Sequence, residues 1–496
     1  MAEPYLLAID QGTTSSRAIV FDVAGKIIHL QQKELTLHYP QKGWVEQDAN
    51  DIWDDTLSCL TQIADALGND LSRVVAAGIT NQRETTIVWD RETGEPVYHA
   101  IVWQDRRTAQ HCQALNDAGH EEMITAKTGL LLDAYFSATK IAWILDHVEG
   151  ARDRAEAGEL LFGTVDSFLL WKLTKGAVHA TDATNASRSM LFNVVTQEWD
   201  EELLALFDIP RSMLPDVYDN VADYGCIDSA YMGAEIPIGG VAGDQQAALI
   251  GQGCFDVGMV KSTYGTGCFA LMNIGDDFKV SQHRLLTTVA YRFDGKVSYA
   301  LEGSIFIAGA AIQWLRDGVG LFDDAANSED LARSVDDNNE VYFVPAFTGL
   351  GAPHWKPDAQ AMICGLTRES NAAHIVRAAL EAQAYQTCDL MGAMEADGGV
   401  KPDVIRADGG LVANGFMCQF LADMLNMDIE IPAVVETTAW GAACLAGLSV
   451  GVFDSLDDVR DAWHADRHYE PAMHDDERAR LYAGWQTAVS MLTRID

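Results

Sequence analysis

Asp10 ends the apolar run 6–9, and the polar stretch Gln11-Gly12-Thr13-Thr14-Ser15-Ser16-Arg17 separates it from a second apolar run, 18–21. A turn with one Gly, four hydroxyls and an Arg exposes many donors, as a loop gripping phosphate oxygens must. A carboxylate at its mouth can hold Mg²⁺ beside those phosphates. An ordinary polar hairpin turn is the alternative. A second turn of this kind, Thr263-Tyr264-Gly265-Thr266-Gly267, lies between the strand-like runs 258–262 and 268–272. A third, Asp408-Gly409-Gly410, follows the run 404–407. Facing loops at 12–15 and 265–267 could hold a polyphosphate from opposite sides, small residues allowing close backbone approach.

Three further groups have types suited to an alcohol substrate. Arg83 and Glu84 sit between the apolar segments 74–79 and 86–89. Arg can donate to hydroxyl oxygens and Glu can accept from hydroxyl protons, which makes a polyol clamp; a solvated turn with an incidental ion pair is the other reading. Asp244 and Gln245 follow the apolar run 237–242, and an Asp at the end of a buried strand is placed to accept a proton from an alcohol. The same Asp could instead cap a helix over 246–250. Trp103, Tyr135 and Phe136 could offer an aromatic surface to the CH faces of a small polyol, or pack in the core. Residues 447–451 match GxSxG with Asp454 and His464 downstream, but an Ala-rich helix, not a strand, is expected before Ser449, so the match is taken as accidental.

The elements that must position these groups alternate. Strands are expected at 5–9, 18–21, 26–30, 74–79 and 86–89, with a helix over 49–66. Strand, hydroxyl-glycine turn, strand returns near residue 255, followed by helices at 304–317, 415–425 and 439–448. The return suggests a duplicated α/β unit, and 496 residues suit two domains, 1–252 and 253–496, across a cleft. There is no GxxxxGK[ST], which excludes a P-loop, and no GxGxxG after a strand, which leaves a Rossmann site unsupported. The nine cysteines form no CxxC, so thiols in a reducing cytoplasm are expected, not disulfides or zinc. No apolar run approaches a membrane span, and the N-terminal stretch does not read as a signal peptide. The net charge of −39 opposes binding to nucleic acid and anionic membranes.

The segments AIDQGTTSSRAIVFD, GWVEQD, ITNQRETTIVWD, AIVWQDRRT, LFGTVDSFLLWKLT, TDATNASRSMLFN, GVAGDQQAAL, STYGTGCF, VPAFTGLGAPHW and DGGLVAN, in this order, carry a resemblance to the FGGY carbohydrate kinases, and within them to the members acting on glycerol. The resemblance implies an α/β fold of two ribonuclease H-like, actin-like ATPase domains around a cleft. The first would be mainly polyol-binding and the second mainly nucleotide-binding. It implies ATP- and Mg²⁺-dependent phosphorylation of glycerol to sn-glycerol 3-phosphate, with a kinase for another polyol or ketose as the alternative. By motif, Arg83, Glu84, Tyr135, Asp244 and Gln245 would hold the polyol, and Trp103 and Phe269 would line its carbon side. Asp244 would be the general base and Asp10 would lie at the metal. The nucleotide would meet Thr13, Thr14, Ser15, Arg17, Thr266, Gly309, Gln313, Gly410 and Asn414. Relatives self-associate, so a homodimer or homotetramer is implied. Gly233-Ala234-Glu235 stands where regulated members carry Gly-Thr-Arg for fructose 1,6-bisphosphate, and Glu470-Pro471-Ala472-Met473 departs from the Pro-Gly-Ile presented to a phosphotransferase-system protein. Neither regulation is therefore expected. Lys356 and Gln360 replace the family's usual Asp and Arg.

Overall fold

The computed structural model describes residues 3–354, 356 and 358–493. Trp355 and Pro357, which flank Lys356 in one of the segments quoted above, lie outside the described residues. Strands β1 (Tyr5–Gln11), β2 (Ser15–Asp22) and β3 (Ile27–Glu34) form an antiparallel meander. Helix α1 (Ala49–Leu67) leads on to β4 (Val74–Asn81), which runs parallel to β1. Such a parallel return needs a long crossover, which the helix supplies. Strand β5 (Ile236–Gly243) continues the sheet parallel to β4, and helix α2 (Asp244–Gly251) leaves its end. β1 is buried along its whole length between β2 and β4, which is why it reads as a continuous apolar run rather than an alternation.

The second half repeats the plan. β6 (Val260–Tyr264) pairs antiparallel with β7 (Cys268–Gly275). After β8 (Leu286–Phe293), strand β9 (Lys296–Ile305) pairs with both β7 and β8. Beyond helix α3 (Gly309–Asp317), β10 (Val404–Asp408) lies parallel to β6. Helix α4 (Gly415–Leu425) leads to β11 (Asp428–Pro432), parallel to β10. Helix α5 (Thr437–Ser449) and the edge strand β12 (Ala465–Tyr469) follow. A three-stranded antiparallel meander with two parallel strands beside its first member, and a short antiparallel strand beyond them (Cys226–Ile227 in the first sheet, β12 in the second), thus occurs in both sheets, with β8 as an addition to the second. This is the paired ribonuclease H-like topology of the actin-like ATPase fold.

The halves are interlocked by their helices. α5, from the second half, packs on β1, β4 and β5 of the first sheet and crosses α2 closely. The crossing needs glycine on both helices: a Cβ on Gly441 would stand 1.9 Å from the Ala247 carbonyl oxygen, and one on Gly251 would stand 2.0 Å from that of Thr437. One buried cluster consequently joins Leu6, Ala8 and Ile19 of the first sheet to Leu271 and Ala300 of the second through Ala247, Ala442 and Leu445.

Three expectations require correction. The helix expected over 304–317 begins at Gly309, because Ser304 and Ile305 are claimed by β9, where they pair with Phe269 and Cys268. The strand expected at 258–262 is Val260–Tyr264, which shortens the second turn to Gly265-Thr266-Gly267. Asp244 does not cap a helix over 246–250; it is itself the first residue of α2, and Gly243 occupies the cap position. The GxSxG match is accidental as read: Ser449 ends α5 and its hydroxyl donates to the Ala446 carbonyl at 2.7 Å. Among the described residues no helix is long and apolar enough to cross a membrane.

Candidate active site

The first strand-turn-strand loop and the ends of β4 and β5 lie on neighbouring strands of one sheet, and Phe269 of β7 in the second sheet reaches Trp103 beside them. Asp10, near the end of β1, pairs in register with Arg17 across the hairpin and with Thr80 of β4. Its carboxylate is buried and receives the Arg17 guanidinium, whose other arm reaches Glu436 at 2.6 Å. Burial raises the Asp10 carboxyl above the ordinary Asp range, Arg17 opposes that rise, and the charges of Glu436 and Asp244 add to it.

Arg83 and Glu84 are not a solvated turn. Both are buried, at 3% and 1% exposure. Glu84 adopts φ 60°, a left-handed conformation that costs a non-Gly residue about 1–3 kcal/mol and persists only where the surroundings enforce it. Its carbonyl is held by Ser137 Oγ at 3.1 Å and Lys140 Nζ at 3.3 Å, and Lys140 also donates to the Tyr135 carbonyl at 2.6 Å. Burial lowers the Lys140 ammonium to about 8 and raises the Glu84 carboxyl above its usual range.

Arg83 Nε lies 3.1 Å from Asp244 Oδ1, and its two Nη atoms reach Glu302 at 2.6 and 3.2 Å. Asp244 Oδ1 also accepts from the Gln245 backbone N–H at 2.7 Å. Gln245 Oε1 accepts from the buried Lys261 at 2.5 Å. Over these charges stands an aromatic wall. The Trp103 ring lies 5.5 Å from that of Tyr135 and 6.4 Å from that of Phe269, both edge to face. Trp103 Nε1 donates to Thr13 Oγ1 at 2.9 Å, which ties the wall to the first loop. Burial together with the Glu84 charge pushes the Tyr135 phenol well up, so it stays protonated and can donate.

The second loop rests on the start of α3. Gly309 N–H donates to the Gly265 carbonyl at 2.9 Å, and Ala308 N–H to that of Thr266 at 2.9 Å. Thr266 and Gln313 are exposed. The third loop closes against β6 only because Gly409 lacks a side chain: with φ 92°, its Cβ would stand 2.5 Å from the Tyr264 carbonyl oxygen. Gly410 opens a single 3₁₀ turn, and Asn414 caps α4. The Asn414 side-chain oxygen takes the Met417 N–H at 2.9 Å and its amide donates to Ser328 at 3.1 Å, so both ends of the side chain already have protein partners.

The structure joins Arg83, Glu84, Asp244 and Gln245 by ion pairs and hydrogen bonds and Trp103, Tyr135 and Phe269 by ring contacts, with Thr13 bonded to Trp103; Asp10 and Arg17 form a separate pair near enough for the Asp244 charge to act on Asp10. Thr266, Gly309, Gln313, Gly410 and Asn414 lie on the loops and helix starts of the second half. Sequence reasoning missed Lys140, Arg188, Lys261 and Glu302, all fully or almost fully buried. The available signal was a charged residue inside an otherwise apolar element, as Lys140 in Ser137–His147 and Glu302 in β9.

Comparison with known proteins identifies the family. The profile described as the FGGY family of carbohydrate kinases, N-terminal domain, matches residues 5–251, and that of the C-terminal domain matches residues 260–450. A protein of Nitrosomonas eutropha named glycerol kinase is 63% identical over 490 residues, 99% of this chain and 98% of its own. Glycerol kinase 1 of Pseudomonas aeruginosa is 57% identical over 98% of both chains. The crystal structure of Plasmodium falciparum glycerol kinase with ADP superposes with a TM-score of 0.94 at 37% identity, covering 99% of this chain and 98% of that one. Gluconate kinase from Lactobacillus acidophilus shares the fold, with a TM-score of 0.87 at 22% identity and 98% of each chain covered. Duplicated sheets, a cleft with hydroxyl-rich loops, and full-length likeness all lead to one statement: the chain belongs to the FGGY family of carbohydrate kinases.

Proposed function

We propose that the protein transfers the γ-phosphoryl group of ATP to a terminal hydroxyl of glycerol, giving sn-glycerol 3-phosphate and ADP. The observation that carries this reading is Asp244, held 3.1 Å from Arg83 beside the buried Glu84 and beneath Trp103, Tyr135 and Phe269. Full-length relatives that bear the name glycerol kinase support the choice of polyol.

Arg83 donates to a hydroxyl oxygen of the triol, and Glu84 accepts a hydroxyl proton through the oxygen that Arg188 does not take. Tyr135 and Gln245 hold the remaining polar edge, and Trp103 with Phe269 covers the carbon side. A longer sugar would need the room these rings fill. Asp244 Oδ1 is committed to Arg83 and the Gln245 N–H, which leaves Oδ2 as the acceptor for the attacking hydroxyl's proton. As the new P–O bond forms and the bond to the β-phosphate oxygen breaks, that proton passes to Asp244 and then to solvent. Thr13, Thr14, Ser15 and Arg17 meet the nucleotide from the first half, and Thr266, Gly309, Gln313, Gly410 and Asn414 from the second. The polyol thus belongs mainly to residues 1–252 and the nucleotide mainly to 253–496.

Among the described residues no group of three or more His, Cys, Asp or Glu side chains could cage a metal. One buried carboxylate, Asp10, fits Mg²⁺, which keeps several waters and takes one or two carboxylates plus substrate phosphates. When bound, Mg²⁺ would neutralise charge on the phosphate oxygens. The nine unpaired cysteines are consistent with work in a reducing cytoplasm. ADP release is to be followed with glycerol, xylulose, gluconate and no acceptor. Glycerol should exceed the others by about 10²-fold in kcat/KM. Equal or better use of a ketose or an acid sugar would replace the substrate, and acceptor-independent ADP release would remove the kinase reading.

A further inference from the structure

Behind the candidate polyol site two guanidiniums and two carboxylates alternate in a ring. Arg83 binds Glu302 at 2.6 and 3.2 Å. Glu302 binds Arg188 Nη2 at 2.9 Å. Arg188 Nε binds Glu84 at 2.6 Å, and Glu84 returns to Arg83 Nε at 3.9 Å. No side chain in the ring is more than 2% exposed. The ring is electrically neutral, and desolvating four charges is tolerable only because each faces its opposite; removal of one member leaves a buried charge uncompensated. Three members come from the first half, and Glu302 comes from β9 of the second. The Arg188 guanidinium lies over the Tyr135 and Phe136 rings, 5.6 and 5.3 Å from their centroids, and its Nη1 has no hydrogen-bond partner among the described residues.

We propose that Glu302 and Arg188 are positioning residues of the polyol site: Glu302 orients Arg83 directly and Glu84 through Arg188, so that the grip on the substrate forms only when the two halves stand in this register. The inference rests on the assignment of Arg83 and Glu84 to glycerol. It explains how a site built mainly by the first half senses the half that carries the nucleotide loops. Arg188 also acts on Glu84 electrostatically. The charged groups around that carboxylate are Arg188, Arg83 and Glu302, with Lys140 at its carbonyl. Burial raises the Glu84 carboxyl, and Arg188 is the largest influence opposing that rise.

The test compares wild type with Glu302→Gln, Arg188→Lys and Arg188→Gln, varying glycerol and ATP separately across about pH 5 to 9. Loss of one charge-assisted hydrogen bond in the ring should raise KM for glycerol about 10-fold or more while KM for ATP stays within about 2-fold. In Arg188→Gln the acid limb of kcat/KM for glycerol should move to higher pH, and in Arg188→Lys it should stay near the wild-type position. If Glu302→Gln does not fold, the Arg188 pair decides by the same readouts. Equal rises in both KM values, or an unchanged KM for glycerol and an unmoved acid limb in folded variants, would overturn the proposal. A wild type that uses glycerol beside variants with unchanged KM sinks only the ring; a wild type inert toward glycerol sinks the functional reading, and this inference with it.

Discussion

Replacing Asp244 by Asn changes the fewest contacts while removing the one property the mechanism demands. In the native chain Oδ1 faces Arg83 Nε at 3.1 Å and the Gln245 N–H at 2.7 Å. An Asn can present its own Oδ1 to both donors, which places the amide NH₂ where the free carboxylate oxygen stood. The fold should persist, because the side chain is 32% exposed and lies at the start of α2, outside the core. What disappears is a proton acceptor for the attacking hydroxyl. Loss of a general base costs about 10²–10⁴-fold, or about 3–5 kcal/mol in the barrier. ATP affinity should change little, because the nucleotide contacts assigned above do not include this side chain. The assay is single-turnover ADP release with saturating glycerol, alongside ATP binding by calorimetry and the melting temperature. Turnover within about 3-fold of wild type, in a protein that binds ATP normally, would refute the assignment of the base. A parallel loss of ATP binding would show that the residue acts through structure instead.

Four other perturbations have expected outcomes. Gly441→Val places a side chain against the Ala247 carbonyl, where even a Cβ would stand at 1.9 Å, and should destabilise by about 1–3 kcal/mol in urea unfolding while an equivalent change at Gly392, where a Cβ meets nothing within 4 Å and the backbone is helical, does not. Burial lowers His179 from 6.5 to about 4, so the unfolded chain binds this proton first as pH falls. The stability from neutral His179 is present above about pH 6.5 and lost as pH falls toward 4, so the melting temperature of His179→Asn should depend less on pH than wild type across that window. Raising salt to about 1 M shrinks the screening length to ~3 Å and should raise the melting temperature of a chain with net charge −39; a steady fall would contradict self-repulsion. Stripping divalent cations with a chelator should abolish ADP release and added Mg²⁺ should restore it, whereas an undiminished rate would exclude a metal role.

The loops were legible because their chemistry is local. A strand that ends in Asp10 and a turn of hydroxyls can be read within twelve residues, and the same holds for the turn at Gly265–Gly267. The duplicated plan followed from their recurrence. Arg83 and Glu84 were legible as types but not as buried groups, since nothing in the neighbouring residues says that a partner 219 positions away, Glu302, will cover them. Arg188 and Lys261 escaped notice for the same reason: each completes a pair that exists only after the two halves are packed together. The start of α3 was misjudged because residues 304–305 suit a helical face as well as a strand, and only pairing with β7 decides between them. Local periodicity carries no information about that partner.

Charge balance in the cleft explains why the nucleotide cannot be held by side chains alone. Asp10, Glu84, Asp244, Glu302 and Glu436 face Arg17, Arg83, Arg188, Lys140 and Lys261, so these groups balance and leave no net positive charge for a phosphate. Each of the three arginines is already bound to carboxylates, and Lys261 meets only the neutral Gln245 amide among its hydrogen-bond partners. Burial also lowers the Lys261 ammonium from its usual range, with Asp408 and Asp244 opposing that fall. A triphosphate entering this site, on a chain of net charge −39, finds no uncommitted guanidinium in this network to neutralise it. Under the proposed function, main-chain donors of the Gly- and Thr-rich loops and a divalent cation at Asp10 would supply the compensation. The same arithmetic explains the economy of the polyol side. Glycerol is uncharged, so under the proposed function a neutral ring of paired ions would orient its hydroxyls without attracting the phosphate.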